Sequence, residues 1–348
     1  MSDWMDFREY ARTKIIKKSD RILEFGPLNR PLVKKPDYSN IFYADIRSSE
    51  EIKELYTGND YLESTGVQVD LDTIVDIDYV IKGTYKDSFK GVEKFDVIVM
   101  SHVIEHVPDI INFFQEVTGL LKRDGKLVII YPDARYCFDH FRNGTTFVDA
   151  YNTYVEKHMN YNAVFDFVNN VVHENDASYF WNNESQNDIL PTTSFDKTIE
   201  AFEDAKSDKL PDDTHFWPFA DYQFVKFLYD LDRAGLSIFE ISEFFGTQEN
   251  TQEFMAVLKP KSQREIDKNT YTSLLNTLNP INKEIKYRSQ NISLTQENEQ
   301  LRIDVGGLKL EYSRLLNELS GVYSSKKWKY STKLAKAKHK IIRGGQND

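Results

Sequence analysis

Short apolar runs alternate with amphipathic stretches along the first part of the chain. The runs are RILEFG (21–26), NIFYADI (40–46), IDYVI (77–81), KFDVIVMSH (94–102) and GKLVIIYPD (125–133). Unbroken runs rich in Val and Ile, rather than strict alternation, predict strands covered on both faces of a parallel sheet. Between them, SSEEIKELY has a serine cap and early glutamates, the signature of a helix start. PDIINFFQEVTGLLKRDG opens on Pro-Asp, repeats apolar residues at Ile111, Phe114, Val117 and Leu121, and is expected to stop at Gly125. Strand alternating with helix predicts an α/β class: a Rossmann-like, doubly wound, mostly parallel sheet over about 20–133. Residues 1–20 predict a short amphipathic helix with Trp4, Phe7, Ala11 and Ile15 on one side.

Residues 134–216 break this rhythm, being rich in Tyr, Phe, Asn and Asp and without a clean strand. ADYQFVKFLYDLDRAG then predicts a helix ending on Gly235, and LSIFEISEFFG and EFMAVLKP predict an antiparallel closing hairpin. The catalytic domain is thus expected over 1–260, with 134–216 inserted over the strand ends as a lid. Residues 261–293 read as a linker or helical segment. From 294 to 322, Leu294, Asn298, Leu301, Val305, Leu308, Tyr312, Leu315, Leu319 and Val322 recur at spacings of four and three. That is the seam of a coiled coil over roughly four heptads, with Asn298 a register-setting polar residue. Gly306 and Gly307 weaken it by roughly 1 kcal/mol each. A homo-oligomer or a hetero-complex through this helix is expected; the alternative is a helix folded back on its own domain.

Charge sharpens the picture at the C-terminus. The formal net charge is -11, yet residues 323–343 hold eight Lys or Arg and no acid, so the rest carries -11 - 8 = -19. A body so acidic excludes nucleic acid as a partner, which demands a positive surface. The basic tail, 323–348, with Trp328 among its cations, suits either an anionic membrane surface or a solvated helix end. A single cysteine, Cys137, excludes an internal disulfide framework. No secretory leader and no apolar run of roughly 18 residues is read. A cytoplasmic protein is expected, with peripheral contact at the inner face of the membrane through the tail.

The stretch RILEFGPLNRPLV (21–33) carries the first chemical signal. A strand, a glycine and a turn announce a cofactor site, but a dinucleotide needs further glycines, and Leu28 and Asn29 stand there instead. No Walker A lysine follows either. A ligand with an adenosine end and no phosphate needs less, and S-adenosylmethionine is one whose amino group and sulfonium favour acids. Glu24 is placed to hold its amino-acid end, directly or through water. Gly26 lets the backbone approach, Pro27 presets φ near -65°, and Asp45 at the tip of the second strand can accept the ribose hydroxyls.

The longest informative stretch is FDVIVMSHVIEHVPDIINFFQEVTGLLKRDGKLVIIYPD. It resembles the fourth strand, following helix and fifth strand of class I S-adenosylmethionine-dependent methyltransferases. Phe95, Asp96, Glu105, His106, Asp109, Leu121 and Gly125 occupy matching places, while Arg123-Asp124 replaces the usual Pro-Gly. EFGPLNRP, SHVIEHVPD and PDARYCFDHFR together resemble a bacterial subgroup associated with surface-polysaccharide biosynthesis. The resemblance implies cofactor contacts at Glu24, Gly26, Asp45, Ser101 and His102. The turn after the third strand, IKGTYKD, lacks the family's adenine-contacting acid, although Asp76 and Asp78 lie close before it. Glycines of the family's first turn are replaced by Leu28 and Arg30.

Methyl transfer is an in-line displacement governed by positioning, and a hydroxyl acceptor also needs a base. His102, His215 and His106 are the candidates; for Glu105 and His106 the alternative is a purely structural role at a helix start. Asp133, Arg135, Tyr136 and Asp139, directly after the fifth strand, are candidate acceptor contacts, or else members of a salt-bridged loop. Tyr136, Tyr179, Trp181 and Trp217 are expected either to stack on sugar rings or to form the lid's own core. His158 and His173 show no paired metal-ligand spacing, so no metal site is expected. The reading is an O-methyltransferase acting on a sugar of a bacterial surface glycan. The alternatives are methylation of a small molecule or protein, and a non-catalytic coiled-coil scaffold of a glycan-assembly complex.

Overall fold

The computed structural model of the chain describes residues 4–57, 69–172, 176–181, 190–207, 209–211, 213–261 and 266–280, and within the C-terminal stretch 297, 300–302, 304–309, 311–315, 317–321 and 329–336. Seven strands form one sheet: β1 (Ile22–Phe25), β2 (Ile41–Asp45), β3 (Tyr79–Val80), β4 (Phe95–Ser101), β5 (Leu121–Pro132), β6 (Phe239–Phe245) and β7 (Glu253–Pro260). Their order is β3-β2-β1-β4-β5-β7-β6. The first five run parallel, and β7 lies antiparallel between β5 and β6. This is the expected Rossmann-like sheet with a closing antiparallel pair.

Alternation along each strand divides the core into two layers. Leu23, Phe25, Ile98, Met100, Leu127 and Ile129 face one cluster, which includes α4 (Ile110–Leu120) and α9 (Asp221–Arg233). Ile22, Tyr43, Val97, Val99, Val128 and Ile130 face the other. That second layer is closed by the N-terminal helix α1 (Phe7–Tyr10), continued by a π-helical turn over Ala11–Ile15. Phe7, Ala11 and Ile15 are buried there as expected, but Trp4 is 64% exposed and stands off the helix face. The serine-capped helix appears as α2 (Ser49–Thr57), where Ser48 and Glu51 exchange backbone and side-chain bonds in a capping box.

Two boundaries differ from expectation. Helix α4 ends at Leu120 rather than Gly125, because Leu121 already pairs with Phe95 in the sheet. The compact unit runs to Asn279, past residue 260, since α10 (Lys268–Leu278) buries Tyr271 and Leu278 against the main core. Tyr271 packs its ring 5.1 Å from Tyr229 of α9. Among its described residues, the insertion carries four helices joined by irregular segments: α5 (Phe147–Glu156), α6 (Tyr161–Asn170), α7 (Ala177–Trp181) and α8 (Phe195–Ala205). A short helix α3 (Tyr85–Ser88) follows β3. In the second unit, residues 280–348, Leu301, Val305, Leu308, Tyr312, Leu315 and Leu319 lie on helical backbone and are exposed. Leu294, Asn298, Val322 and most of the basic tail fall outside the described residues, as does His173. Among the described residues, no helix is long and apolar enough to cross a membrane.

Ending the chain after Asn279 should leave the melting midpoint unchanged, whereas ending it after Pro260 should lower it by roughly 10 °C. The loss of two buried side chains at ~1.5–3 kcal/mol each sets that scale. Circular dichroism melts of the two truncations decide it, and equal midpoints would contradict the boundary.

Candidate functional site

The C-terminal ends of β1, β2 and β4 bring Glu24, Gly26, Asp45, Ser101 and His102 to one edge of the sheet. Neighbouring registers set this: Phe25 stands beside Ala44 on one side and Met100 on the other. Ligands of open α/β sheets bind at such an edge.

Glu24 is buried, with 2% of its surface exposed, and points into the second core layer. Its two oxygens accept the backbone N–H groups of Leu32 (2.6 Å) and Val33 (2.9 Å). The acid therefore shapes the turn that follows β1. Burial is the largest influence on its pKa and pushes it up to about 7, against the two amides and the charges of Arg8 and Arg12. Gly26 has φ +60°, and a Cβ there would meet Val103 Cγ2 at 2.9 Å, so both the conformation and the close approach demand glycine. Pro27 is followed by Leu28 at φ +45°. A side chain in the left-handed region costs ~1–2 kcal/mol, a strain that the family's glycine would relieve.

Arg8 of α1, unremarked in the sequence, spans this turn. Its Nη1 donates to Ser101 Oγ (3.2 Å) and its Nη2 to the carbonyl of Arg30. Asp45 is half-buried at the tip of β2, where Oδ1 accepts the Arg47 N–H (3.0 Å), and burial raises its pKa against that bond and the Arg47 charge. Ile46 beside it is 60% exposed, an apolar surface next to a carboxylate. Asp78 is spoken for: it accepts Tyr43 N–H (2.8 Å) and pairs with Lys35 (3.0 Å).

Beyond β4 the chain carries three imidazoles. His102 has φ +54°, and its Nε2 lies 2.7 Å from Glu253 of β7. Burial opposes charge on His102, but the Glu253 bond and the Glu105 and Glu253 carboxylates outweigh it and raise its pKa. Its Nδ1 is 3.6 Å from Glu105 Oε1. His106 Nδ1 donates to the carbonyl of Thr214 (3.2 Å), and His215 Nδ1 donates to Asp139 (2.6 Å). The rings of His106 and His215 meet edge to face at 4.7 Å. Burial, then the neighbouring His215, pushes His106 down to about 3, leaving a poor proton acceptor. Glu105 is wholly buried and its side-chain oxygens make no hydrogen bond among the described residues.

The residues after β5 are knitted into the protein. Asp133 accepts from Arg135 N (3.0 Å), Nε (2.9 Å) and Nη2 (2.6 Å), from Asp221 N (3.2 Å) and from Thr247 Oγ1 (2.6 Å). Arg135 also pairs with Asp221 at 2.6 Å. Asp139 is held by His215 and by Arg142 at 2.8 Å, and these partners keep its carboxyl below the usual range despite burial. The salt-bridged loop is thus what Asp133, Arg135 and Asp139 form. Tyr136 differs: its half-buried ring stacks on Trp181 at 3.9 Å and 7°. Trp217 is fully buried and donates to the Val107 carbonyl at 2.5 Å, a core role.

Glu24→Ala would orphan two buried amides and should cost about 2–4 kcal/mol. A free glutamate, at its ordinary 4.5, ionises before the folded group at about 7. Between those values the folded state binds more protons, so stability from this group falls as pH rises. The stability gap between wild type and Glu24→Ala should therefore narrow from pH 5 to pH 7.5 in urea titrations, and a widening gap would contradict the assignment.

Residues 2–173 match the model of a family described as a methyltransferase domain. No curated protein matches the chain. Among solved structures, coclaurine N-methyltransferase shares 15% identity over 36% of this chain and 35% of its own, with a TM-score of 0.25. Mitomycin 7-O-methyltransferase shares 11% over 69% and 48%, with a TM-score of 0.29. An S-adenosylmethionine-dependent methyltransferase from Clostridium acetobutylicum shares 10% over 74% and 93%, with a TM-score of 0.34. The chain spans only 35% of the first of these proteins and 48% of the second. Likenesses this distant carry no substrate. Residues 2–173, just under half of the chain, are thus similar to a methyltransferase domain, and they contribute the parallel strands of a sheet ordered β3-β2-β1-β4-β5-β7-β6 with an acid at the tip of β2.

Proposed function

We propose that the chain methylates a sugar hydroxyl, as part of building a bacterial surface glycan. The observation that carries this reading is the imidazole of His102, held by Glu253 at the end of β4, beside the Gly26 turn. When bound, S-adenosylmethionine supplies a methyl group on a positively charged sulfur that an oxygen lone pair can displace. Asp45 would accept the ribose hydroxyls, Ile46 would cover the adenine, and the Gly26 turn, braced by Glu24, would face the amino-acid end. Arg8 and Ser101 close that end of the pocket. A hydroxyl is a weak nucleophile until its proton is taken, and His102 is the group to take it, steadied in one tautomer by Glu253. The stacked Tyr136 and Trp181 rings supply a flat apolar surface of the kind on which sugar C–H faces rest. The motifs EFGPLNRP, SHVIEHVPD and PDARYCFDHFR support the glycan context.

The exposed stripe from Leu301 to Leu319 supports a second element of the reading, assembly through a coiled coil with another copy or with a partner enzyme of the same complex. The reading takes the protein as cytoplasmic, with its basic tail against the inner face of the membrane.

The test is transfer of labelled methyl from S-adenosylmethionine onto glycan, lipid, protein and small-molecule fractions of a lysate. Label in glycan, stable to base, is expected; label confined to protein or small molecules would overturn the acceptor. His102→Ala should slow transfer at saturating cofactor by about 10²–10⁴-fold. Asp45→Ala should weaken cofactor binding by about tenfold or more, for the loss of a charge-assisted hydrogen bond. Unaltered binding would refute the ribose contact.

A further inference from the structure

We propose that Glu105, His106 and His215 form a site for a divalent transition-metal ion at the edge of the methyl-transfer pocket. The site itself stands on its own geometry; only the role given to the ion rests on the methyltransferase reading.

The Glu105 side chain is 1% exposed, and neither of its oxygens has a hydrogen-bond partner among the described residues. Protonation does not satisfy such a group, because the acquired O–H would need an acceptor in turn. A buried carboxylate without a hydrogen-bond partner asks for a cation. Two imidazoles complete the set: one ligand atom from each of Glu105, His106 and His215 lies within 4.8 Å of the others. His106 Nε2 is 4.0 Å from Glu105 Oε1.

Both imidazoles are prepared as ligands. His106 Nδ1 faces the carbonyl of Thr214, which can only accept, and His215 Nδ1 faces the Asp139 carboxylate. Each proton is thereby fixed on Nδ1 and each Nε2 is left with its lone pair. Metal-bound histidines carry this same outer support, a carbonyl or a carboxylate on the far nitrogen. Arg142 in turn holds Asp139 at 2.8 Å.

Two imidazoles and one carboxylate suit a borderline ion such as Zn²⁺, with one position left open, rather than Mg²⁺ or Ca²⁺, which take oxygen ligands. Ligand atoms around tetrahedral zinc, at bonds of ~2.0–2.1 Å, stand ~3.4 Å apart, so binding would draw the three groups inward. His106 remains 33% exposed, and His102 stands beside Glu105. A hydroxyl or water taking the open position would lose its proton more readily, to His102 or to solvent. The ion would also tie the 3₁₀ turn Ile104–His106 to the segment returning from the insertion, already joined by the Phe216 N–H to Glu105 carbonyl bond of 2.7 Å.

The test uses the full chain, stripped with chelator and titrated with Zn²⁺ alone by calorimetry, then with Co²⁺ to read the visible ligand-field spectrum. One ion per chain is expected, with an intense tetrahedral-type Co²⁺ band. Glu105→Gln, close in shape, and His106→Ala, at the partly exposed ligand, should each weaken binding at least tenfold. His158→Ala, outside the cluster, should bind as wild type. His215→Ala is avoided, since it also unpairs Asp139. Absence of stoichiometric binding by the stripped wild type, or affinities unchanged in both cluster variants, would overturn the site. S-adenosylmethionine binding is measured on the same samples: cofactor bound without metal rejects the ion and leaves the enzyme reading, and metal bound without cofactor does the reverse.

Discussion

The architecture of the pocket depends on one buried carboxylate. Glu24 reaches from β1 into the second core layer and takes the amides of Leu32 and Val33. A glycine-rich turn can fold back on itself by backbone freedom alone; here only Gly26 has that freedom, and side-chain bonds do the rest. Leu28 is forced into the left-handed region, and the strain persists because the acid below it and Arg8 above it fix the turn from both sides. Burial makes that acid unwilling to ionise, so the conformation of the turn is coupled to its protonation.

From this fixed turn the rest of the site follows by contact. Gly26 lies against Val103, and Val103 leads directly into Glu105 and His106. The segment 214–217, returning from the insertion, crosses beside them: Phe216 bonds the Glu105 carbonyl, Trp217 bonds the Val107 carbonyl, and His215 delivers its ring to His106. The insertion therefore serves the sheet edge by bringing one histidine and its Asp139–Arg142 support to the end of β4. The price is a wholly buried glutamate whose side-chain oxygens find no hydrogen-bond partner among the described residues, a group that proteins retain where it acts on something else.

The sheet was legible because its strands are continuous apolar runs, and the gathering of Glu24, Gly26 and Asp45 at one edge because they fall at or beside strand ends. Orientation was not legible. Whether Glu24 points at a ligand or at its own loop depends on which layer the strand pleat assigns it, and two amides eight and nine residues on decide the matter. Asp133, Arg135 and Asp139 looked available after β5, yet their partners Asp221, Thr247 and His215 lie 76 to 114 residues away. The same separation hid the grouping of Glu105 and His106 with His215, since metal-ligand spacing is visible in sequence only when ligands are near neighbours. Helix α10 was legible only as part of a linker or helical segment, because KNTYTSLLNTL is weakly amphipathic and gains its stability from Tyr229 and the core beneath it.

The proposed cofactor site is a turn with one glycine, braced by Glu24, at the ends of β1 and β2. Amide hydrogen exchange on the full chain, with and without saturating S-adenosylmethionine, tests it most directly. The account predicts slowed exchange in residues 26–33 and 45–47. Protection elsewhere with none in these two segments, or no change at saturating cofactor, would contradict it.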